Sequence, residues 1–203
     1  MKIELKPSHP SEVEIAAPLM YSSGPDAFEY VFKNHKVSAV DFLKYAFVRK
    51  GGEFSFDNQY SLYKEGKMVG LGSIFDAKKA ASFTTTDALN ILRFYGFKSV
   101  PIIKHGLRVE RIIELPKKEE IVLAHLAILP SLRGQGLGTL LIDALMKKVN
   151  ASSANKYVLD VSEENPRAKA LYERLGFVTT RKMESSLKNQ FSYVPTHFRM
   201  EKM

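Results

Sequence analysis

The 203-residue sequence has no cysteine, which excludes a disulfide scaffold, thiolate zinc sites and a cysteine nucleophile together. Long apolar runs are missing too. The longest, 121–130, is interrupted by His125 and falls well short of the ~20 residues that a spanning helix needs. Residues 1–10 mix Lys2, Glu4 and Lys6 with two prolines and hold no apolar core, so no signal peptide is expected there. The expectation is a soluble, cytoplasmic protein with no membrane partner. Repeats and low-complexity tracts are absent. So is a basic arm: the formal charge is +8, yet the densest basic groups are pairs such as Lys78 with Lys79 and Lys147 with Lys148. The surface field attracts anions, but with no recognised binding motif a nucleic-acid partner is not expected. His9, His35, His105, His125 and His197 show no metal-ligand spacing, so no metal is expected either.

What is present is an ordinary globular composition, 45% hydrophobic and 26% charged, and a length suited to a single domain over 1–203. Residues 1–6 alternate as an edge strand. Val13, Ala16, Ala17, Met20 and Tyr21 repeat at the helical period up to the Gly24-Pro25 stop, Asp26 is placed to cap a second helix, and a third is expected over 38–49. Strands over 58–64 and 68–75 form a hairpin through Glu65 and Gly66. Residues 78–118 then break the rhythm with a pair of helices, one capped by Asp87 and closed by Gly96, the next starting near Pro101. A strand over 119–129, a helix over 136–150, a strand over 157–161, a helix over 165–175 and strands over 177–183 and 196–201 complete an α/β chain.

The glycine-rich turn between the 119–129 strand and the 136–150 helix is the most informative segment. Gly134, Gly136 and Gly138 let the backbone turn tightly at a helix start, so several N–H groups can converge on one anion. Arg133 adds charge at the lip and the Thr139 hydroxyl can donate from the first turn. No lysine follows the glycines, as a nucleoside-triphosphate loop requires, and the third glycine of a dinucleotide loop is Thr139 or Leu141 here. A diphosphate of another kind is indicated.

Arg133-x-x-Gly136-x-Gly138 resembles the acetyl-CoA signature of the GNAT (Gcn5-related N-acetyltransferase) family. A second block agrees. Asn165, Ala168, Leu171, Tyr172, Gly176 and Phe177 are similar to that family's Asn-x-x-Ala-x-x-Leu-Tyr-x-x-x-Gly-Phe motif at every fixed position. The two blocks fall within 119–183, which the resemblance makes the acetyl-CoA-binding core. It implies a mixed, mostly antiparallel sheet with two splayed strands, flanked by helices, with 78–118 as a helical insertion where the family has a short turn. Acetyl-CoA would then enter the splay as acyl donor. The main chain of Leu126, Ala127 and Ile128 would pair with its pantetheine arm, and Arg133, Gly134, Gln135, Gly136, Leu137, Gly138 and Thr139 would take its pyrophosphate. Asn165, with Ala168, would lie near the pantetheine, and Tyr172 would face the thioester sulfur.

A tyrosine suits that place because the departing thiolate needs a proton or a hydrogen bond. The attacking amine must first lose its own proton, since an alkylammonium with a pKa near ~10.4 is a poor nucleophile at pH 7. The family commonly uses a glutamate on the strand before the loop, which offers Glu119 and Glu120. Glu120 is preferred because strict alternation gives it the face of Leu126 and Ile128, although a β-bulge would swap the faces. His125, on the face of Glu119, and solvent water are the other candidates. Taken alone, Tyr172 reads as a core position, Asn165 as a helix N-cap and the glutamates as part of a solvated charge cluster.

The expected function is acetyl transfer to a small-molecule or peptide amine by direct attack, with Tyr172 as acid and Glu120 as base. The alternative is a non-catalytic acyl-CoA-binding or sensory module on the same fold. The 78–118 insertion is expected to cap the acceptor side of the cleft and to select the amine, with a dimer contact or a core extension as its other roles. The acceptor's identity and the oligomeric state are left open, a homodimer being common in the family.

Overall fold

The computed structural model describes residues 2–149 and 156–203; the expected strand start at Met1 and helix end at Asn150 lie outside them. Seven strands form one sheet in the order β1-β2-β3-β4-β5-β7-β6. These are β1 Ile3–Pro7, β2 Tyr60–Lys64, β3 Lys67–Asp76, β4 Glu120–Ile128, β5 Lys156–Ser162, β6 Val178–Met183 and β7 His197–Lys202. Every pairing is antiparallel except β4 with β5. That parallel pair is short, matching only Glu120, Ile121 and Val122 with Lys156, Tyr157 and Val158. Beyond it the two strands part, β4 staying with β3 and β5 with β7. The mixed sheet with splayed central strands is the architecture expected above.

One face of the sheet is covered by α6 (Leu137–Met146), which buries Leu137, Leu141, Ile142 and Leu145 against Leu62, Leu123, Leu159 and Met200. Each such side chain contributes about 2 kcal/mol of transfer free energy. The opposite face receives α1 (Val13–Ser22), α2 (Pro25–Phe32) and α3 (Ala39–Phe47), where Phe32, Phe42 and Phe54 pack ring on ring. The third helix starts as its sequence dictates, Ser38 and Asp41 capping one another reciprocally. The second starts with Pro25 in its first turn after Gly24; Asp26 is in its first turn instead of capping it.

The 78–118 segment is two helices, α4 (Ala77–Tyr95) and α5 (Ser99–Val109). Gly96 ends the first, with φ +56. Its start differs from expectation. The cap is Asp76, which accepts the Lys79 N–H at 2.7 Å, and Asp87 lies mid-helix with its carboxylate accepting the Glu53 N–H at 3.0 Å. The β-branched run Thr84-Thr85-Thr86 hides a helix that no glycine or proline interrupts. The Tyr95 hydroxyl donates to the Phe32 carbonyl at 2.6 Å, fastening α4 to α2. The last helix, α7 (Pro166–Arg174), is capped by Asn165. Among the described residues no helix is long and apolar enough to cross a membrane.

Candidate active site

A β-bulge decides what β4 presents. Ala124 faces Ser73 and Ala127 faces Leu71, so His125 and Leu126 together oppose the single residue Gly72. His125 takes φ +54, a left-handed backbone that a non-glycine residue adopts only under constraint. Gly72 accommodates the bulge, since a Cβ there would lie 2.8 Å from Leu145 and 3.0 Å from Leu126. The alternation of faces shifts by one across the bulge. Glu120, Val122 and Ala124 therefore share a face with Ala127, while Leu126 and Ile128 turn to the α6 side with Leu123.

Glu120 is accordingly not where strict alternation puts it. Its side chain is 1% exposed, accepts the Lys117 N–H at 2.9 Å and the Arg199 guanidinium at 2.8 Å, and lies 3.4 Å from the Lys156 ammonium. Burial works against its charge, but these partners outweigh burial and hold its carboxyl below the usual range. Arg199, fully buried, also donates to Asp160 and to the Glu114 carbonyl, each at 2.8 Å. The arrangement is a charge cluster tying β4, β5 and β7 at the paired end of the splay. Glu119 is exposed just ahead of the strand.

At the open end the chain turns through 130–132 into the glycine loop. Arg133 Nε donates to the Ile128 carbonyl at 3.2 Å, and its side chain otherwise faces solvent. Gly134 and Gly136 have φ +79 and +76, and a Cβ on either would meet nothing within 4 Å. These two glycines are needed for conformation. Gly138 is needed for closeness, because a Cβ there would come within 3.1 Å of Leu171 on α7. Gly136 is the N-cap residue of α6 and no side chain caps that end, so the first-turn N–H groups of Leu137, Gly138 and Thr139 have no helical partner. Gln135 accepts from Lys64 at 3.2 Å. Asn165 accepts the Ala168 N–H at 3.1 Å.

Between the splayed strands and the helices of the insertion lies a cleft of ≈ 360 Å³. One wall is β4 from Val122 to Leu126, with Leu159 and Asp160 of β5, Tyr172 of α7 and His197 of β7. The other is built from α2, α4 and α5. Tyr172 is 8% exposed, its ring set edge-on to Phe177 at 6.2 Å between centroids. Burial pushes its phenol up to about 12, so it holds its proton throughout the neutral range.

The bulge aims His125 into this cleft, where its Nε2 lies 3.0 Å from a Glu53 carboxylate oxygen and its ring packs near Phe28 and Phe54. Burial, then the charge of Glu53, push Asp87 up to about 7, and the same two causes raise Glu110. Asp160 is pushed up to about 6 because burial outweighs the pull of Arg199. His197 Nδ1 donates to the Pro195 carbonyl at 2.7 Å. Among the described residues no group of three or more histidine or carboxylate side chains is placed to hold a metal ion.

The structure thus brings Leu126 and Tyr172 to one cleft and sets the 133–139 loop beside it, while Glu120 does not line it. Its acidic lining residues Glu53, Asp87 and Glu110 belong to no sequence motif. Glu53 and His125 are 72 residues apart in the chain, and only the folded sheet joins them.

The Acetyltransferase (GNAT) family profile matches residues 21–177. Among proteins of curated function none matches the sequence significantly. Solved structures with the same fold include an N-acetyltransferase from Staphylococcus aureus Mu50, 16% identical over 98% of this chain and 100% of that one, with a TM-score of 0.71. A variant of a spermidine N-acetyltransferase from Vibrio cholerae is 14% identical over 98% and 92%, TM-score 0.57. A ribosomal-protein-alanine N-acetyltransferase from Escherichia coli is 15% identical over 98% and 92%, TM-score 0.52.

Proposed function

The chain belongs to the GNAT acetyltransferase family, and from that premise we propose that it moves the acetyl group of acetyl-CoA to the nitrogen of an amine by direct attack. The observation that carries this reading is the opening of the β4–β5 splay beside an uncapped helix start, with Tyr172 in its wall. Two glycines with positive φ and open space around them fit a phosphate approaching the backbone, and the first-turn N–H groups of α6 with Arg133 would hold the pyrophosphate. The main chain of Leu126, Ala127 and Ile128, on the side that β5 leaves, would pair with the pantetheine. Asn165 and Ala168 shape the start of the helix that carries Tyr172.

Acetyl-CoA supplies an activated thioester. The rest falls to this chain's side chains. His125, steadied by Glu53, takes the proton of the amine, and the freed lone pair forms the N–C bond as the C–S bond breaks. Tyr172 gives its hydrogen bond or proton to the sulfur that leaves, and burial keeps it protonated for that step. In this reading the base is the bulge histidine in place of Glu120, whose Oε2 accepts from the Lys117 N–H and Arg199 and whose side chain stands outside the cleft. A non-catalytic module would have no use for a protonated phenol facing a histidine-lined cleft. The test is thiol release from acetyl-CoA across a panel of amines, with mass spectrometry of the acceptor. Acetylated amine is expected; CoA binding with no release for any acceptor would favour the sensory module.

A further inference from the structure

We infer that the acceptor is a small monoamine with an apolar body, its ammonium held among Glu53, Asp87 and Glu110 and its body against Phe28, Phe54 and Phe83. This rests on the transferase reading and narrows it to a substrate class.

Charge is the first argument. The chain carries 30 lysines and arginines against 22 acids, yet the described residues lining the cleft include five carboxylates and no lysine or arginine; Glu114 and Asp160 are paired with Arg181 and Arg199 behind the lining, which leaves Glu53, Asp87 and Glu110 without a lysine or arginine partner among the described residues. In a basic protein, such a lining repels any acceptor that bears a carboxylate or phosphate beside its amine. It draws in a cation.

Unmet bonding capacity is the second. Asp160 has a side chain only 5% exposed, its Oδ2 bound to Arg199 and its Oδ1 without a hydrogen-bond partner. Asp87 likewise leaves Oδ1 unpartnered while Oδ2 accepts from Glu53 N–H. Of the two, Asp87 belongs to the proposed ammonium site, where a carboxylate oxygen without a partner is short of an N–H donor, which an ammonium supplies. The raised carboxyls of Asp87 and Glu110 agree, since burial first and then the charge of Glu53 work against their ionisation, and a bound cation would relieve both.

Shape and polarity give the third. The rest of the lining is mostly aromatic and aliphatic, and Phe28 and Phe54 flank His125 where the amine must lose its proton. Aromatic faces accept both an apolar body and a nearby cation. They offer no conventional hydrogen-bond partner to the hydroxyls of a polyhydroxylated acceptor. At ≈ 360 Å³ the cleft is at the small end of ligand sites, and part of it lies between β4 and β5 where the thioester arrives.

The experiment compares phenethylamine, phenylalanine, spermidine and a short peptide amine as acceptors, reading kcat/KM by thiol release. In parallel, calorimetry follows phenethylamine binding to the CoA-loaded protein. Phenethylamine is expected to exceed phenylalanine, which adds only a carboxylate, by about a hundredfold. Glu110→Gln is expected to raise KM for phenethylamine about tenfold while acetyl-CoA affinity holds. Equal use of phenylalanine, or preference for spermidine or the peptide, overturns the inference and leaves the transferase reading intact. Phenethylamine binding without thiol release from any acceptor supports the pocket and overturns the transferase reading. Neither binding nor release overturns both.

Discussion

Replacing Glu120 by glutamine separates structure from catalysis in β4. The carboxylate is 1% exposed and is the partner of a guanidinium with no exposure at all. Glutamine keeps the shape and, with its oxygen in the Oε2 place, the acceptor shared by the Lys117 N–H and Arg199, but it removes the charge opposite Arg199 and turns an NH₂ toward Lys156. Breaking one partner of a buried ion pair costs about 3–5 kcal/mol; since Arg199 keeps Asp160 and the Glu114 carbonyl, the lower end, about 3 kcal/mol, is expected. For a chain of this size that lowers Tm by roughly 6–12 °C at pH 7. The pH dependence has a definite sign. The Glu120 carboxyl is held below its ordinary value, so its stabilisation is complete above the unfolded value of about 4.3 and is lost as pH falls through the lower folded one. The gap in Tm between parent and variant therefore narrows in acid. Thermal melts at pH 7 and at pH 4, beside the pH profile of kcat/KM, read both effects. An unchanged Tm with a displaced alkaline-rising limb would make Glu120 the base and refute the reasoning.

Three further substitutions bear on the site. His125→Asn, with a residue that tolerates the left-handed backbone, is expected to lower kcat by about a hundredfold or more and to abolish the rising limb of the pH profile, with acetyl-CoA affinity held; an unmoved limb would leave the proton to solvent. Asp87→Asn removes a carboxyl whose folded value is raised from 3.8 to about 7. That raised group loses its favourable contribution as pH climbs between those values, so the variant gains on the parent from pH 5 to pH 8, by at most about 3 kcal/mol; a constant difference in Tm would contradict this. Arg133→Ala is expected to weaken acetyl-CoA binding by roughly 1.5–3 kcal/mol with Tm unmoved, and Gly136→Val to weaken it further by forcing a branched residue to φ +76; calorimetry on the folded variants checks both.

The contrast between Glu120 and His125 shows what the sequence could and could not reveal. The glycine loop and the 165–177 block were legible because each encodes local backbone physics: glycines where φ is positive, an asparagine cap, an apolar face at helical spacing. The bulge was not. It inserts a residue in β4 without a glycine in that strand, and its compensation, Gly72, sits on β3 across a 53-residue separation from His125. Strict alternation therefore puts Leu126 and Ile128 on the face of Glu120, whereas Glu120 shares the cleft-side face of Val122 and Ala124 and stands outside the cleft because it lies at the paired end against Arg199. The helical insertion was visible by its apolar content, but its first cap was placed at Asp87 instead of Asp76 because threonines favour caps as readily as they interrupt a helical pattern. Glu53 and Asp87 reach His125 only through tertiary folding, and no short-range pattern marks them.

The most direct test of the central claim is Tyr172→Phe, measured under single-turnover conditions with a good acceptor and, separately, for acetyl-CoA affinity. The ring, buried against Phe177, remains, so affinity and Tm are expected to hold. The lost hydroxyl is expected to cut the rate of acetyl transfer by about a hundredfold or more. A fall of less than about threefold would contradict the account: at roughly 0.6 kcal/mol, it would leave Tyr172 a packing residue and the departing sulfur without its acid.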